Sequence, residues 1–202
     1  EDTNRFYTHL THDQNAPLKT IHMSVEGAIE FKALLFLPKE AGFDLLMPNK
    51  KHGLSLYVRN VFIGADFDLL LPEYLRFVKG VVESSDLPLN VSREMLQDDA
   101  VIRKIKSNIT GKILSTLAEM MKEKPEDYAA FYAAFGRVLK EGLHFDFENA
   151  DKIKGLLMFR SAKSEGNKLI SLKEYIAAMP ETQKEIYYLI AEDLETARQS
   201  PH

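Results

Sequence analysis

The sequence predicts a mixed α/β (α+β) fold, in which a sheet is layered with helices. Three observations predict this class. Apolar residues alternate between positions 21 and 37, the pattern of a half-buried strand. From Ile102 to Met120 they recur every three or four positions, the spacing of an amphipathic helix. With 202 residues, 45% of them hydrophobic and 28% charged, the chain is long enough to form a packed core.

Residues 1–100 are predicted to form a large αβα layered subdomain. Two strands are expected between Ile21 and Leu37, because alternating apolar residues are interrupted there by the turn-forming pair Glu26-Gly27. A third strand is predicted from Leu54 to Ile63, a run rich in β-branched and aromatic residues. We expect these strands to share one sheet.

Two further helices are expected before residue 100. From Pro72 to Val82 the apolar residues change to helical spacing, and proline is tolerated in the first turn because its missing N–H needs no partner there. A second helix is predicted to begin at Arg93. Ser92 precedes it and is suited to cap its first backbone N–H groups.

Residues 101–160 are predicted to form a helical connector. The long stripe from Ile102 predicts a helix that ends near Lys124-Pro125. A second stripe begins at Tyr128 and is expected to stop at Gly142, because glycine is common just beyond a helix end. A third helix is predicted from Asn149 to Phe159.

Residues 161–202 are predicted to begin a second, small αβ subdomain. Ser171 and Glu174 match a capping box, so a helix should follow as far as Met179. Glu185 to Ala191 is read as one apolar strand, and Asp193 to Gln199 as a short last helix. A lone strand cannot satisfy its backbone hydrogen bonds. We therefore expect this subdomain to be truncated.

Composition argues against several classes of protein. The formal charge is −4, and basic residues do not cluster, so no nucleic-acid partner is expected. There is no cysteine, which excludes disulfides and thiolate metal sites and fits a reducing compartment. The longest apolar run, Tyr128 to Phe135, falls far short of the roughly 18 residues of a membrane span. The polar first residues lack the pattern of a signal peptide, and we interpret the chain as a piece of a longer protein.

No metal site is predicted. His9 and His12 are three positions apart, but no carboxylate cluster accompanies them. The acidic pairs Asp98-Asp99 and Glu126-Asp127 stand at expected helix starts, where they favour the positive end of the helix dipole. The chain also has no glycine-rich phosphate-binding motif, so it is not expected to bind a nucleotide by itself.

The segment from Asn90 to Gln97 brings an arginine to a helix start. Arg93 and Gln97 are four positions apart and would point the same way from neighbouring turns. A guanidinium group offers a planar fork of donors for phosphate oxygens, and helix N-terminal amides reinforce that attraction. From spacing alone, a simple serine cap followed by a solvated arginine explains the same residues.

A resemblance to a known family bears on whether Arg93 binds a phosphate or is only a solvated side chain. The sequence resembles the middle domain of the heat-shock protein 90 chaperones over nearly its whole length, and its short loops are similar to the bacterial form, high-temperature protein G. The segments that carry the resemblance are Ser24–Gly27, Phe43–Leu45, Leu56–Ile63, Leu71–Val82, Asp86–Gln97, Ile170–Tyr175 and Ile186–Tyr188.

The resemblance implies an ATP-dependent, homodimeric, cytoplasmic chaperone. In such a protein the chain would stand between an N-terminal nucleotide-binding domain and a C-terminal dimerisation domain. ATP and Mg²⁺ would be held by the N-terminal domain, so this chain alone is expected to hydrolyse no ATP. Unfolded client proteins and heat-shock protein 70 type chaperones are the implied partners.

The resemblance also implies roles for particular residues. The arginine matching Arg93 reaches the ATP γ-phosphate of the docked N-terminal domain, and the glutamine matching Gln97 assists it. Asn90 and Ser92 match the loop that supports these two residues. Through Arg93 the chain would therefore couple ATP hydrolysis to conformational change.

Client contact is implied at two places. The family has an amphipathic loop where Gly42 to Met47 stands, which makes Phe43, Leu45 and Leu46 candidates, and an apolar patch that includes the residue matching Phe62. Ordinary burial in the core explains the same residues equally well. The chain has no tryptophan, so it lacks the exposed tryptophan that some eukaryotic members carry upstream of Pro17.

Two alternatives remain open. One is the transducer domain of a gyrase-like ATPase, which uses a catalytic lysine, and the match at Ser92-Arg93-Glu94 argues against it. The other is a non-catalytic protein-binding module, in which Arg93 would have no role in hydrolysis.

Overall fold

The sheet of the computed structural model has five strands in the order β1-β2-β5-β3-β4. Neighbouring strands are antiparallel except for β3 and β5, which are parallel. The strands are β1 (Lys19–Val25), β2 (Phe31–Leu37), β3 (Leu54–Val58), β4 (Val61–Phe67) and β5 (Lys79–Ser84). The structure describes residues 2–42, 45, 52–89, 96, 99–162, 164 and 168–201.

Helices cover both faces of this sheet. Six α-helices are found in the described parts of the chain: α1 (Asp2–Thr11), α2 (Ala100–Glu123), α3 (Pro125–Phe145), α4 (Ala150–Leu156), α5 (Leu172–Ala177) and α6 (Leu194–Gln199). On one face, Phe36 of β2 packs against Phe6 and Tyr7 of α1. On the other face, Phe31 and Leu35 join the main core that α2, α3 and α4 complete. The predicted mixed α/β class is confirmed.

The helices after residue 99 follow their apolar stripes. The Asp99 carboxylate caps α2 by accepting hydrogen bonds from the N–H groups of Val101 (2.7 Å) and Ile102 (3.1 Å). Pro125 occupies the first turn of α3. The predicted end at Gly142 is wrong, because α3 continues to Phe145.

The predicted helix from Pro72 to Val82 is wrong. The chain forms a short 3₁₀ helix (Glu73–Leu75) and then the central strand β5. The apolar spacing was ambiguous here, because Val78 and Val82 are four positions apart and fit a helix as well as a strand. In the structure, β5 lies between β2 and β3, and its alternate residues are buried. Gly80 lies in this strand with φ +150°, and a Cβ atom there would stand 2.3 Å from the Leu34 carbonyl oxygen.

The predicted strand from Leu54 to Ile63 is two strands. The chain reverses at Arg59 and Asn60, whose φ angles of 49° and 64° are those of a tight hairpin turn. The usual Asn-Gly or Asp-Gly signal of such a turn is absent, so the pattern of apolar residues did not indicate it.

The last part of the chain is only partly as predicted. Ser171 and Glu174 form the capping box at α5, which is confirmed. The helix predicted from Asn149 ends earlier, and β6 (Met158–Arg160) then pairs with β7 (Leu169–Ser171). The strand predicted from Glu185 to Ala191 is wrong. These residues are described and largely exposed. They form no strand, because no described segment pairs with their backbone.

Candidate functional site

The segment predicted to carry Arg93 leaves the sheet at the end of β5. Ser84 closes that strand and pairs with Phe31 of β2 on one side and Val58 of β3 on the other. The β3–β4 hairpin turn therefore lies at the same end of the sheet. This end is the part of the fold from which the predicted catalytic loop starts.

Hydrogen bonds fix the chain where it leaves β5. The buried Ser84 hydroxyl donates to the carbonyl of Glu30 (2.7 Å). The Glu30 N–H donates to Oδ2 of Asp86 (2.6 Å), and the Asp86 N–H donates to the Ser84 hydroxyl (3.3 Å). Arg59 of the hairpin turn donates through Nε to the carbonyl of Ser85 (3.2 Å).

Two buried leucines flank Arg93 in the chain. Leu87 and Leu96 are both 0% exposed and belong to the main core. Asp99 then caps α2 directly after the loop. The candidates Asn90, Ser92, Arg93 and Gln97 lie outside the described residues, so their predicted roles stay predictions.

An exposed apolar surface lies beside the hairpin turn. Val61 and Phe62 are 50% and 54% exposed, and Phe62 contacts the ring of Tyr57 across the hairpin with centroids 5.3 Å apart. Phe62 was a client candidate from the sequence, whereas Val61 was not. A hairpin signal before Val61 would have indicated that both residues stand beside a turn, at the start of β4.

The second client candidate, Leu45, is half-buried and packs against the main core. Its carbonyl accepts a hydrogen bond from Nε of Arg76 (3.2 Å). Phe43 and Leu46 lie outside the described residues. Of the four client candidates, the structure thus describes one exposed residue, Phe62, and one half-buried residue.

Arg76 makes a bidentate ion pair with Glu141. Its Nη1 and Nη2 donate to the two carboxylate oxygens of Glu141 at 2.5 Å and 3.0 Å. These hydrogen bonds raise the pKa of the Arg76 guanidinium above its usual value, although burial opposes the shift. The guanidinium group is therefore permanently charged and does not give up a proton in acid–base catalysis.

Neither a metal centre nor a membrane span is found in the described part of the chain. No group of three or more metal-ligating side chains comes together among the described residues. No described helix is both long and apolar enough to cross a bilayer.

Comparison with known proteins identifies the family. The model of the Hsp90 protein family matches residues 1–202, the whole chain. The chain belongs to the Hsp90 family. The chaperone protein HtpG of Geobacter metallireducens is 54% identical to it over 202 residues, which are 100% of this chain and 31% of that protein. The HtpG of Bdellovibrio bacteriovorus is 48% identical over 202 residues, with 100% of this chain and 32% of that protein covered.

A solved structure of a heat shock protein domain has the same fold. The middle domain of a Plasmodium falciparum heat shock protein superposes with a TM-score of 0.87 at 31% identity, covering 99% of this chain and 78% of that chain. The resemblance to heat-shock protein 90 middle domains is thereby confirmed. The chain spans about a third of the length of the curated HtpG relatives it matches.

Proposed function

We propose that this Hsp90-family chain is the middle domain of an ATP-dependent chaperone and that Arg93 completes the ATP site of a neighbouring N-terminal domain. The observation that supports the proposal best is the attachment of residues 88–95 between Leu87 and Leu96, both of which are fully buried. A segment fixed at both ends presents its residues to a neighbouring domain without unfolding its own core. Gln97 would assist Arg93, and Asn90 and Ser92 would support the loop.

The proposed contribution of Arg93 is electrostatic. Charge develops on the γ-phosphate oxygens during phosphoryl transfer, and a guanidinium group delivered by a second domain stabilises it. Such an arginine accelerates transfer by about 10³–10⁵, or roughly 4–7 kcal/mol at 1.36 kcal/mol per decade. ATP and Mg²⁺ would be held by the N-terminal domain, which is consistent with the lack of a glycine-rich phosphate motif in this chain.

We also propose that the exposed hairpin surface contacts client proteins. Val61 and Phe62 are apolar and half-exposed, which suits contact with the apolar segments of an unfolded chain. Phe43, Leu45 and Leu46 are the further candidates. We further propose that the full-length protein is a cytoplasmic homodimer with a C-terminal dimerisation domain. Heat-shock protein 70 type chaperones would be its partners.

The catalytic proposal is tested by mixing this chain with its separate N-terminal domain and measuring ATP turnover. We expect the mixture to hydrolyse ATP faster than the N-terminal domain alone, and the chain alone to show no turnover. Arg93→Ala should abolish the stimulation and leave nucleotide affinity unchanged. Arg137→Ala is the matched control, because Arg137 is an exposed arginine on α3.

The outcomes separate the alternatives. Full stimulation by the Arg93→Ala variant would refute the catalytic role and favour a binding module. Turnover that survives Arg93→Ala and is lost when a lysine of the chain is replaced would favour the gyrase-like transducer.

A further inference from the structure

A cavity of about 570 Å³ lies between α1 and the loop that follows this helix. Its volume is that of a site for a small molecule. Four of the lining residues belong to α1 and two to the loop: Asn4, Arg5, Thr8, His9, Gln14 and Ala16. None of them belongs to the proposed catalytic loop or to the proposed client surface.

Five of the six lining side chains can donate hydrogen bonds. Asn4 and Gln14 carry amide groups, Thr8 a hydroxyl, His9 an imidazole and Arg5 a guanidinium group. Among the described residues, none of these five side chains has a hydrogen-bond or ion-pair partner. Arg5 and His9 are four positions apart, so they extend from neighbouring turns on one face of α1. The cavity therefore collects donors that the fold itself does not use.

No carboxylate group lines this cavity. Asp2 and Asp13 are the acidic residues of the described segment 2–16, and neither is a lining residue. Both carboxylate oxygens of Asp13 are occupied elsewhere: Oδ2 accepts from the Tyr7 hydroxyl (3.0 Å) and Oδ1 from the Asn15 N–H (2.9 Å). The charge of Arg5 is thus not neutralised by a lining side chain, which favours an anion as the ligand.

The helix and the loop that form the cavity are fixed to each other. Phe6 and Tyr7 of α1 pack against Phe36 of β2, with ring centroids 6.2 Å and 5.1 Å apart. The hydrogen bond from Tyr7 to Asp13 joins the helix to the loop, and the Asp13 N–H donates to the Thr11 hydroxyl (3.2 Å). A ligand therefore meets a cavity that is already formed and does not have to order its walls.

The donors suit a phosphate group better than a carboxylate group. A phosphate monoester presents three acceptor oxygens and nearly two negative charges, whereas a carboxylate presents two oxygens and one charge. The planar fork of Arg5 matches two phosphate oxygens at once, which leaves the amide, hydroxyl and imidazole donors for the third. The phosphate group is much smaller than the cavity, so an organic group can lie beside it.

We infer that this cavity binds a small phosphate monoester, with Arg5 as its principal contact and Gln14 as a contact from the loop. The inference goes beyond the proposed chaperone function and does not depend on Arg93 or Phe62.

The test is a titration of the 202-residue chain with phenyl phosphate in phosphate-free buffer, followed by the amide chemical shifts in NMR spectra. We expect the largest changes in residues 4–16. Arg5→Gln should weaken binding about tenfold, because hydrogen bonds from a charged donor are the strongest. Gln14→Ala should weaken it about threefold, the effect of one neutral hydrogen bond. Arg137→Gln is the matched control and should leave binding unchanged, because it removes the same charge from an exposed position on α3.

A second titration distinguishes phosphate from carboxylate. Benzoate keeps the phenyl ring but carries a carboxylate group, and it should bind at least fivefold more weakly than phenyl phosphate. Equal binding of the two ligands would overturn the phosphate assignment.

The site itself is overturned by any of three results: no shift changes with phenyl phosphate, changes that lie mainly outside residues 4–16, or unaltered affinity in Arg5→Gln. Arg5 and Gln14 are both exposed, so the two variants should keep the fold. The unbound spectra verify this, and His9→Gln provides a second variant on α1, for which we expect binding about threefold weaker.

Discussion

The hydroxyl group of Tyr74 donates a 2.7 Å hydrogen bond to Oδ2 of Asp146, 72 positions further along the chain. Tyr74 belongs to the 3₁₀ helix before β5, and Asp146 follows the last residue of α3. Nδ2 of Asn149 donates to the same carboxylate at 2.9 Å and 3.1 Å. This contact joins the sheet layer to the point where α3 gives way to α4.

Replacing Tyr74 by phenylalanine is expected to lower the free energy of unfolding by about 1.5–3 kcal/mol, the usual contribution of a hydrogen bond to a charged group. Urea denaturation measures the change. Tyr187→Phe is the control, because Tyr187 is 70% exposed and its hydroxyl should contribute less than about 0.5 kcal/mol. Equal effects of the two substitutions would show that the Tyr74–Asp146 bond contributes nothing specific.

Two helical glycines should respond to alanine with opposite signs. A Cβ atom at Gly142 of α3 would stand 2.8 Å from the ring of Tyr74 and 2.8 Å from Cδ1 of Ile153, so Gly142→Ala should destabilise the fold by about 1–3 kcal/mol. Gly111 of α2 has open space around it, so Gly111→Ala should stabilise the fold by up to about 1 kcal/mol. Thermal unfolding of the two variants checks the signs, and stabilisation by Gly142→Ala would contradict the packing described here.

The fold is expected to lose stability at alkaline pH. Burial, with a hydrogen bond to Asp13, raises the pKa of Tyr7 from 10.0 to about 12, and burial also raises the pKa of Tyr74 and Tyr128. The folded state therefore holds these phenolic protons more tightly than the unfolded state does. Their contribution is complete below about pH 10, the tyrosine pKa of the unfolded chain, and is lost as the pH rises through the folded values.

Urea unfolding at several pH values between 8 and 12 tests this expectation. The free energy of unfolding should begin to fall near pH 10, and Tyr7→Phe should make the decline less steep. A free energy that rises above pH 10 would be inconsistent with the direction of all three shifts.

The proposed client surface predicts a substitution that affects binding more than stability. Phe62→Ala removes a ring that is 54% exposed and contacts Tyr57, so the loss of stability should stay near 1 kcal/mol or below. Phe62→Ala should weaken the binding of reduced, carboxymethylated α-lactalbumin, a permanently unfolded protein, at least threefold. Fluorescence anisotropy measures this binding. Phe147→Ala is the matched control, because Phe147 is 79% exposed and lies in the connection between α3 and α4. The surface assignment fails if both variants bind equally well.

Sequence periodicity predicted the long helices well and the sheet less well. The stripe from Ile102 to Met120 is long enough to have one interpretation, and α2 follows it. Over residues 72–82 the apolar spacing fits a helix as well as a strand, and only the pairing of β5 with β2 and β3 decides between them. The reversal at Arg59 and Asn60 carries no glycine signal, so one predicted strand proved to be two.

The candidate site, too, could be predicted from the sequence only in part. The exposed position of Phe62 depends on the hairpin register, which periodicity did not give. The link from Arg76 to Leu45 joins residues 31 positions apart, and its link to Glu141 joins residues 65 positions apart. Contacts at such separations depend on the whole fold, and local patterns carry no information about them.

The burial of Leu87 and Leu96 has a consequence for the timing of any interdomain contact. Bringing the ends of a segment together costs chain entropy, and here that cost is met when the core forms. A neighbour that docks later therefore does not pay this closure cost again. The free energy of such a contact then contains no contribution from bringing Leu87 and Leu96 together.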